Sequence, residues 1–383
     1  MAKFPEKLAK KIRGRSLKNS FRTLTAQEDL IDFASNDYLG FARDATLQQH
    51  VHNFLENDPF FKSGATGSRL LSGNHYLYPK LEQFLARYHG YEEAIVFNSG
   101  YDANVGLLSS VPQRGDIVFY DELVHASTRD GIRMGNAKAY KYLHNDLEDL
   151  QKRIQRIKKN SEQGDIYVVT ESVFSMDGDS PDISKLAHFC NQYNLYLIID
   201  EAHAVGVFGR GLVHQYKVQP FIFASVVTFG KALGCHGAAI LGNASLKKYL
   251  TNFANSLVYT TGLPPHTLAT VLMSYEYLQS PEGMRAQEQL LANIDYFNSR
   301  IVQLKLREMF LTSNSAIQIA ILPGIDRVKA CAQSLRESGI DAKPILAPTV
   351  VVGKERLRIC LHAYNRHGDI DKILNVISDF KDG

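Results

Sequence analysis

Between Ala94 and Leu241, short runs of β-branched and aromatic residues alternate with stretches whose apolar positions recur every three or four residues. AIVFNSG (94–100), DIVFYDE (116–122), AKAYKYLH (137–144), IYVVTES (166–172), YLIIDEA (196–202), FASVVTFG (223–230) and GAAILG (237–242) predict strands. DLEDLQKRIQRIKKN (146–160) and SPDISKLAHFCNQYN (180–194) predict amphipathic helices between them. Nearly continuous apolar strands with helical crossovers imply an α/β fold: a mostly parallel sheet covered on both faces. Beyond Pro264-Pro265 the pattern predicts long helices, one from about Pro281 to Arg307. After it come strands at AIQIAILP (316–323) and RLRICLHA (356–363) and helices near 326–338 and 369–380, a smaller α+β region. The expected division is an N-terminal segment 1–45, a large domain 46–280 and a small C-terminal domain 281–383. The basic start, MAKFPEKLAKKIRGR, lacks the apolar centre of a secretory signal. It predicts a docking helix with Phe4, Leu8 and Ile12 on one face.

Composition changes this picture little. The 383 residues include 45% hydrophobic and 22% charged residues, as in ordinary soluble enzymes. Forty-three basic and 40 acidic side chains leave a net charge of +3, which offers no signal for nucleic acid or other polyanions. No apolar run reaches the roughly 20 residues that span a bilayer. The four cysteines, Cys190, Cys235, Cys331 and Cys360, show no zinc spacing. The expectation is a cytoplasmic protein with free thiols and no metal site.

The ligands of such sheets bind at the carboxyl ends of the strands, where the chemically informative residues cluster. One cluster, Asp200-Glu201-Ala202-His203, spells the DEAH box of a helicase-type NTPase. That chemistry requires a phosphate-wrapping G-x-x-x-x-G-K-[ST] loop. Gly230-Lys231 and Gly353-Lys354 both fail, with Ser225 and Pro348 where glycine is needed and Ala232 and Glu355 after the lysines. The same residues suit another chemistry. Lys231 follows an apolar strand, and a partly desolvated amine can form a Schiff base. A carboxylate buried at the end of a neighbouring strand, Asp200, needs a cationic partner, which a protonated pyridine nitrogen supplies. Asn98-Ser99-Gly100-Tyr101, opening a helix, offers N–H groups to a phosphate, and Thr228 adds a hydroxyl. Together these point to pyridoxal phosphate. Glu201 faces away from Asp200 by strand alternation and reads as structural.

The motifs ASNDYLGF (34–41), GATGSRLLSGN (64–74), FNSGYDAN (97–104), DELVHAS (121–127), TESVFSMDGD (170–179), IDEAHAVGVFG (199–209), TFGKALG (228–234) and RLRICLHA (356–363) run nearly the length of the chain. In this order they resemble the α-oxoamine synthases, pyridoxal-phosphate enzymes of aminotransferase fold type I. The resemblance implies a seven-stranded, mostly parallel sheet and a shared-cleft homodimer. It assigns the Schiff base and α-proton transfer to Lys231, the pyridinium contact to Asp200 and the ring-hydroxyl contact to His203. His125 takes the stacking position on the cofactor ring. Gly100, Tyr101 and Thr228 fall at phosphate contacts, Ser175 near the ring hydroxyl and Glu171 near the cofactor. Thr261, or its neighbour Thr260, matches a phosphate contact that crosses from the partner subunit. Arg358 matches the clamp on the amino-acid carboxylate, a task suited to a planar guanidinium, and Asn36 and Thr349 match substrate-side positions.

The family joins an amino acid to an acyl-CoA with loss of CO₂. TFGKALG followed by CHGAAILG resembles the branch that uses L-alanine and pimeloyl-CoA in biotin synthesis; other branches pair glycine or serine with succinyl-, acetyl- or long-chain acyl-CoA. Arg22, with Arg13 and Arg15 as alternatives, is the candidate reader of a dicarboxylic acyl terminus. Cys235-His236 and Lys343-Pro344 depart from the family pattern at positions that bear on acyl specificity. A non-catalytic partner subunit of the same fold is disfavoured because Lys231, Asp200 and His125 are all present. His75, His89, His144, His214, His236 and His362 carry no expected role, and KRIQRIKK (152–159) reads as a solvated helix face.

Overall fold

The computed structural model describes residues 3–24, 29–60, 62–158 and 164–381. The chain divides into two compact units, one of residues 36–291 with 362–364, the other of residues 1–35, 292–361 and 365–383.

The larger unit is built on a seven-stranded sheet in the order Glu93–Phe97, Ala238–Gly242, Ile222–Thr228, Tyr196–Asp200, Ile166–Glu171, Ile117–Asp121, Lys138–Tyr142. Only Ala238–Gly242 runs antiparallel to its neighbours. Alternation along the strands explains why both faces must be covered. Ile117, Phe119, Val168, Leu197 and Ile199 enter one core. Their neighbours Val118, Tyr167, Val169, Ile198, Ala224 and Val226 enter another, as side chains of period two must. The edge strand KAYKY is exposed except for Tyr142, and its lysines blunt an edge that would otherwise invite pairing. The helices predicted over 146–160 and 180–194 form as Leu147–Lys158 and Ile183–Gln192; residues 159 and 160 lie outside the described residues.

In the second unit, Arg356–Cys360 pairs antiparallel with both Lys343–Ile345 and Ile317–Ile321. The N-terminal segment joins this unit through a parallel pair, Ile31–Asp32 with Ile340–Asp341, and Phe33 continues the pairing, its N–H bonded to the Asp341 carbonyl and its own carbonyl accepting from Cys360 N–H. A two-residue strand has no periodicity to detect, so this association was invisible in the sequence. A helix does form over Glu6–Leu17, but Phe4, Leu8 and Ile12 are 60%, 46% and 46% exposed. That apolar face is thus left largely open by the described residues of this chain. The helix predicted to reach Arg307 spans Pro281–Gln303, and Lys305 beyond it adopts φ +57°, a left-handed conformation that cannot continue a helix. No helix among the described residues is long and apolar enough to cross a membrane.

Candidate functional site

The strand register brings the expected residues of the larger unit to one end of its sheet. Glu171 lies opposite Asp200 on adjacent strands, and Asp200 lies opposite Val226, two residues before Thr228. Lys231 stands on the tight loop joining the antiparallel strands Ile222–Thr228 and Ala238–Gly242. Cys235 N–H bonds the Phe229 carbonyl and Gly234 N–H bonds the Lys231 carbonyl, both at 2.8 Å. Gly234 has φ +63°, and a Cβ there would lie 2.3 Å from the Ala42 nitrogen, so only glycine closes this turn. The loop directs the Lys231 amine 3.5 Å from the Thr228 hydroxyl.

Asp200 is buried, and both its oxygens are engaged. Ala202 N–H donates to Oδ1 at 2.9 Å and Asn104 Nδ2 to Oδ2 at 2.8 Å. Because a carboxylate only accepts, the nitrogen of the Asn104 amide must face it. The same nitrogen donates to Ser127 Oγ at 3.1 Å, and Ser127 Oγ lies 2.7 Å from His125 Nδ1. The direction of the chain follows: Ser127 donates to Nδ1, which also accepts from Ser127 N–H at 3.2 Å. A neutral His125 then carries its proton on Nε2. Burial, only partly opposed by the Asp200 charge and reinforced by Lys231, lowers the pKa of His125 and favours this neutral ring. Neither Asn104 nor Ser127 was singled out from the sequence, although both lie inside recognised motifs. Asn104 is one helical turn beyond Gly100, a spacing that could have marked it.

Glu171 is also buried. His125 N–H donates to it at 2.6 Å and Ser175 N–H at 3.4 Å. Burial first, then the Asp200 charge beside it, raise its pKa from 4.5 to about 8 against the opposing pull of these N–H groups and Lys231. The folded state thus binds a proton that the unfolded chain releases near 4.5, so its stabilising contribution is complete below that pH and is lost as pH rises through about 8. In thermal melts of the apoprotein from pH 5 to 9, Glu171→Gln should flatten the decline in Tm relative to the parent. Parallel curves would show that Glu171 is not held neutral.

His203 Nδ1 lies 2.7 Å from Tyr38 Oη, which also reaches Asn36 Oδ1 at 3.1 Å. Tyr38 is wholly buried, and its contact with His203 spans 165 residues, beyond any local pattern. Glu201 accepts Val213 N–H at 3.0 Å beneath a short helix, in keeping with a structural role.

At the expected phosphate end, Ser99 caps the helix Gly100–Ser110, accepting Asp102 N–H at 3.0 Å. A Cβ on Gly100 would lie 2.6 Å from Thr228 Cγ2; the glycine lets the helix N-terminus sit against the threonine. A helix start, a hydroxyl, an amine and an oriented carboxylate make a set of groups that fits pyridoxal phosphate. Tyr101 is 47% exposed, and its hydroxyl donates to Asp130 at 2.7 Å. Asn98 Nδ2 donates to Thr260 Oγ1 at 3.2 Å and to the Thr261 carbonyl at 2.7 Å. Cys235 turns inward, its Sγ 3.0 Å from Ser274 Oγ, which makes it a packing residue.

The second unit holds the other candidates. Arg22 Nη2 donates to Thr349 Oγ1 at 3.3 Å, bringing together two positions that the resemblance had marked separately. Arg13 pairs instead with Glu6 on its own helix. Arg358 is buried, with Nη1 2.9 Å from Cys360 Sγ, and lies opposite Lys343 in the sheet, where Lys343 meets Asp341 at 2.5 Å.

The model of class I and II aminotransferases matches residues 28–377. An 8-amino-7-oxononanoate synthase of Emericella nidulans is 37% identical, with 97% of this chain and 95% of the relative covered. Among solved structures, a serine palmitoyltransferase from S. paucimobilis with pyridoxal phosphate and myriocin bound superposes with TM-score 0.87 at 25% identity, covering 98% of this chain and 96% of that one. An 8-amino-7-oxononanoate synthase from Francisella tularensis gives TM-score 0.74 at 28% identity, covering 92% and 98%. The chain belongs to the class I and II aminotransferase family, as a pyridoxal-phosphate enzyme of the acyltransferase branch that includes the 8-amino-7-oxononanoate synthases.

Proposed function

We propose that this chain condenses L-alanine with pimeloyl-CoA, releasing CoA and CO₂ and forming 8-amino-7-oxononanoate. The observation that carries the chemistry is the meeting of Lys231, Asp200, His125 and Thr228 at the carboxyl ends of the strands, with the helix N-terminus at Gly100 set close against Thr228. When bound, pyridoxal phosphate supplies an electron sink for a carbanion at the α-carbon of an amino acid. The protein's part is to orient and to move protons. Asp200, held on both oxygens, would keep a ring nitrogen protonated. The Lys231 amine would hold the cofactor and, when released from it, would take the α-proton and return one. His125, fixed through Ser127, presents Nε2–H, and Arg358 clamps the amino-acid carboxylate. A new C–C bond forms at the thioester carbonyl, CoA leaves as thiolate, and the carboxyl carbon departs as CO₂. Holding amine and thioester together is where orientation contributes to rate.

The L-alanine and pimeloyl-CoA pair rests on the 37% identity to the Emericella nidulans enzyme. The serine palmitoyltransferase likeness favours serine with a long-chain thioester as the second reading. A homodimer accompanies the proposal. Ser68 bridges to Thr261, and beside them Leu70, Leu71 and Tyr259 are 52%, 84% and 82% exposed, an apolar surface of the kind partners cover. CoA release measured for alanine, glycine and serine against pimeloyl-, succinyl-, acetyl- and palmitoyl-CoA tests the assignment, with alanine and pimeloyl-CoA expected to exceed every other pair at least tenfold in kcat/KM. A maximum at serine and palmitoyl-CoA would replace it. Running the best pair through a dilution series tests the dimer: activity should fall with dissociation in sedimentation.

A further inference from the structure

We propose that His144 is a positioning residue of this site: clamped between Asp121 and Asp179, it ties the loop carrying Ser175 to the strand end carrying His125. The proposal rests on the reading of the site as a pyridoxal-phosphate pocket. His144 follows the edge strand Lys138–Tyr142, and the sequence marked it as a histidine without a task. Its Nδ1 lies 2.9 and 3.1 Å from the two Asp121 oxygens, and its Nε2 lies 2.9 Å from Asp179 Oδ2. Carboxylates only accept, so both ring nitrogens donate and the ring is an imidazolium. Burial alone would lower its pKa, but the bonds to the two acids raise it to about 10, consistent with that charge. Phe174 packs edge-on against the ring at 4.4 Å between centroids.

Each arm of the clamp reaches a candidate cofactor residue. Asp121 is fully buried and accepts Leu123 N–H at 2.9 Å, fixing the turn that ends at His125. Asp179 closes the other loop, its carbonyl accepting Phe174 N–H at 2.9 Å, so Ser175 hangs between the Phe174 and Asp179 anchors. Asn145 braces both acids, with N–H to Asp121 and Nδ2 to Asp179, each at 2.8 Å. The same two loops meet again at Glu171, which accepts from His125 N–H and Ser175 N–H. His144 and Glu171 are thus two pins through one pair of loops, and removing His144 leaves its acids bridged by Asn145 and the loops joined at Glu171, a looser hold on Ser175 and His125.

The test uses the holoenzyme. His144→Gln breaks both charged arms, whereas Asp179→Asn releases only the Ser175 loop and leaves the His144–Asp121 pair in place. Cofactor dissociation is measured by fluorescence, and the visible absorption and circular dichroism of the bound cofactor report its seating. Both variants should weaken cofactor binding by about tenfold or more and shift the visible band, with kcat falling more than KM rises, because small displacements of a site cost heavily in rate. Asp179→Asn should do this while melting within a few degrees of the parent, and it decides the matter if His144→Gln does not fold. Asp179→Asn with parental cofactor affinity, an unshifted band and unchanged kcat would overturn the proposal. A parent that binds no pyridoxal phosphate would overturn the underlying site reading as well, so the two failures are distinguishable.

Discussion

Lys231→Ala should lower CoA release by roughly 10⁴-fold or more, since in the proposed mechanism a single amine would both attach the cofactor and transfer the α-proton. Borohydride treatment followed by digestion should leave a pyridoxyl group on the Lys231 peptide of the parent and on no peptide of the variant. The fold should survive. Lys231 sits on a loop whose closure depends on backbone bonds, Gly234 N–H to the Lys231 carbonyl and Cys235 N–H to the Phe229 carbonyl, and none of these involves the amine. Removing the Lys231 charge also frees His125 from one influence that lowers its pKa and Glu171 from one that opposes its rise. A variant that still traps cofactor at another lysine would overturn the assignment.

Asp200→Asn should cost about 10²–10⁴-fold in kcat, the equivalent of the 3–5 kcal/mol typical when one partner of a buried charged pair is removed. The loss extends beyond the charge. Asp200 accepts on both oxygens, from Ala202 N–H and Asn104 Nδ2. An asparagine can offer an oxygen to only one of them, so its own amide nitrogen must face the other donor. If Asn104 turns over to relieve that clash, it loses the nitrogen that donates to Ser127, and the orientation of His125 loosens with it. The variant should therefore show a displaced cofactor absorption band as well as slow turnover, and Asp200→Glu should recover only part of the rate because its carboxylate lies one methylene out of place. Parental kcat in Asp200→Asn would remove Asp200 from the mechanism.

The sheet was legible because its strands are buried on both faces, which forces uninterrupted runs such as YLIID and IFASVVT. Lys231, Asp200, His203 and Thr228 were legible because they end such runs, where strand direction alone dictates the mouth of the sheet. The His125–Ser127–Asn104–Asp200 chain was not, since its last contact, Asn104 to Asp200, joins residues 96 apart. Tyr38 on His203 and Asp179 on His144 escaped for the same reason. A hydrogen bond across the fold leaves no periodic trace in either partner.

The residues of the N-terminal segment show the limit most clearly. Its helix was readable from Phe4, Leu8 and Ile12, but their exposure was not, because amphipathic spacing states that a face is apolar and says nothing of what covers it. The pairing of Ile31–Asp32 with Ile340–Asp341 and of Arg22 with Thr349 depends on chain segments more than 300 residues apart. By itself the sequence determined the layered α/β architecture and the chemical groups at the strand ends, both encoded in local burial and spacing. Only the tertiary structure decided which donors orient those groups and which histidine is clamped as a cation, since these follow from distances between segments that no local pattern records.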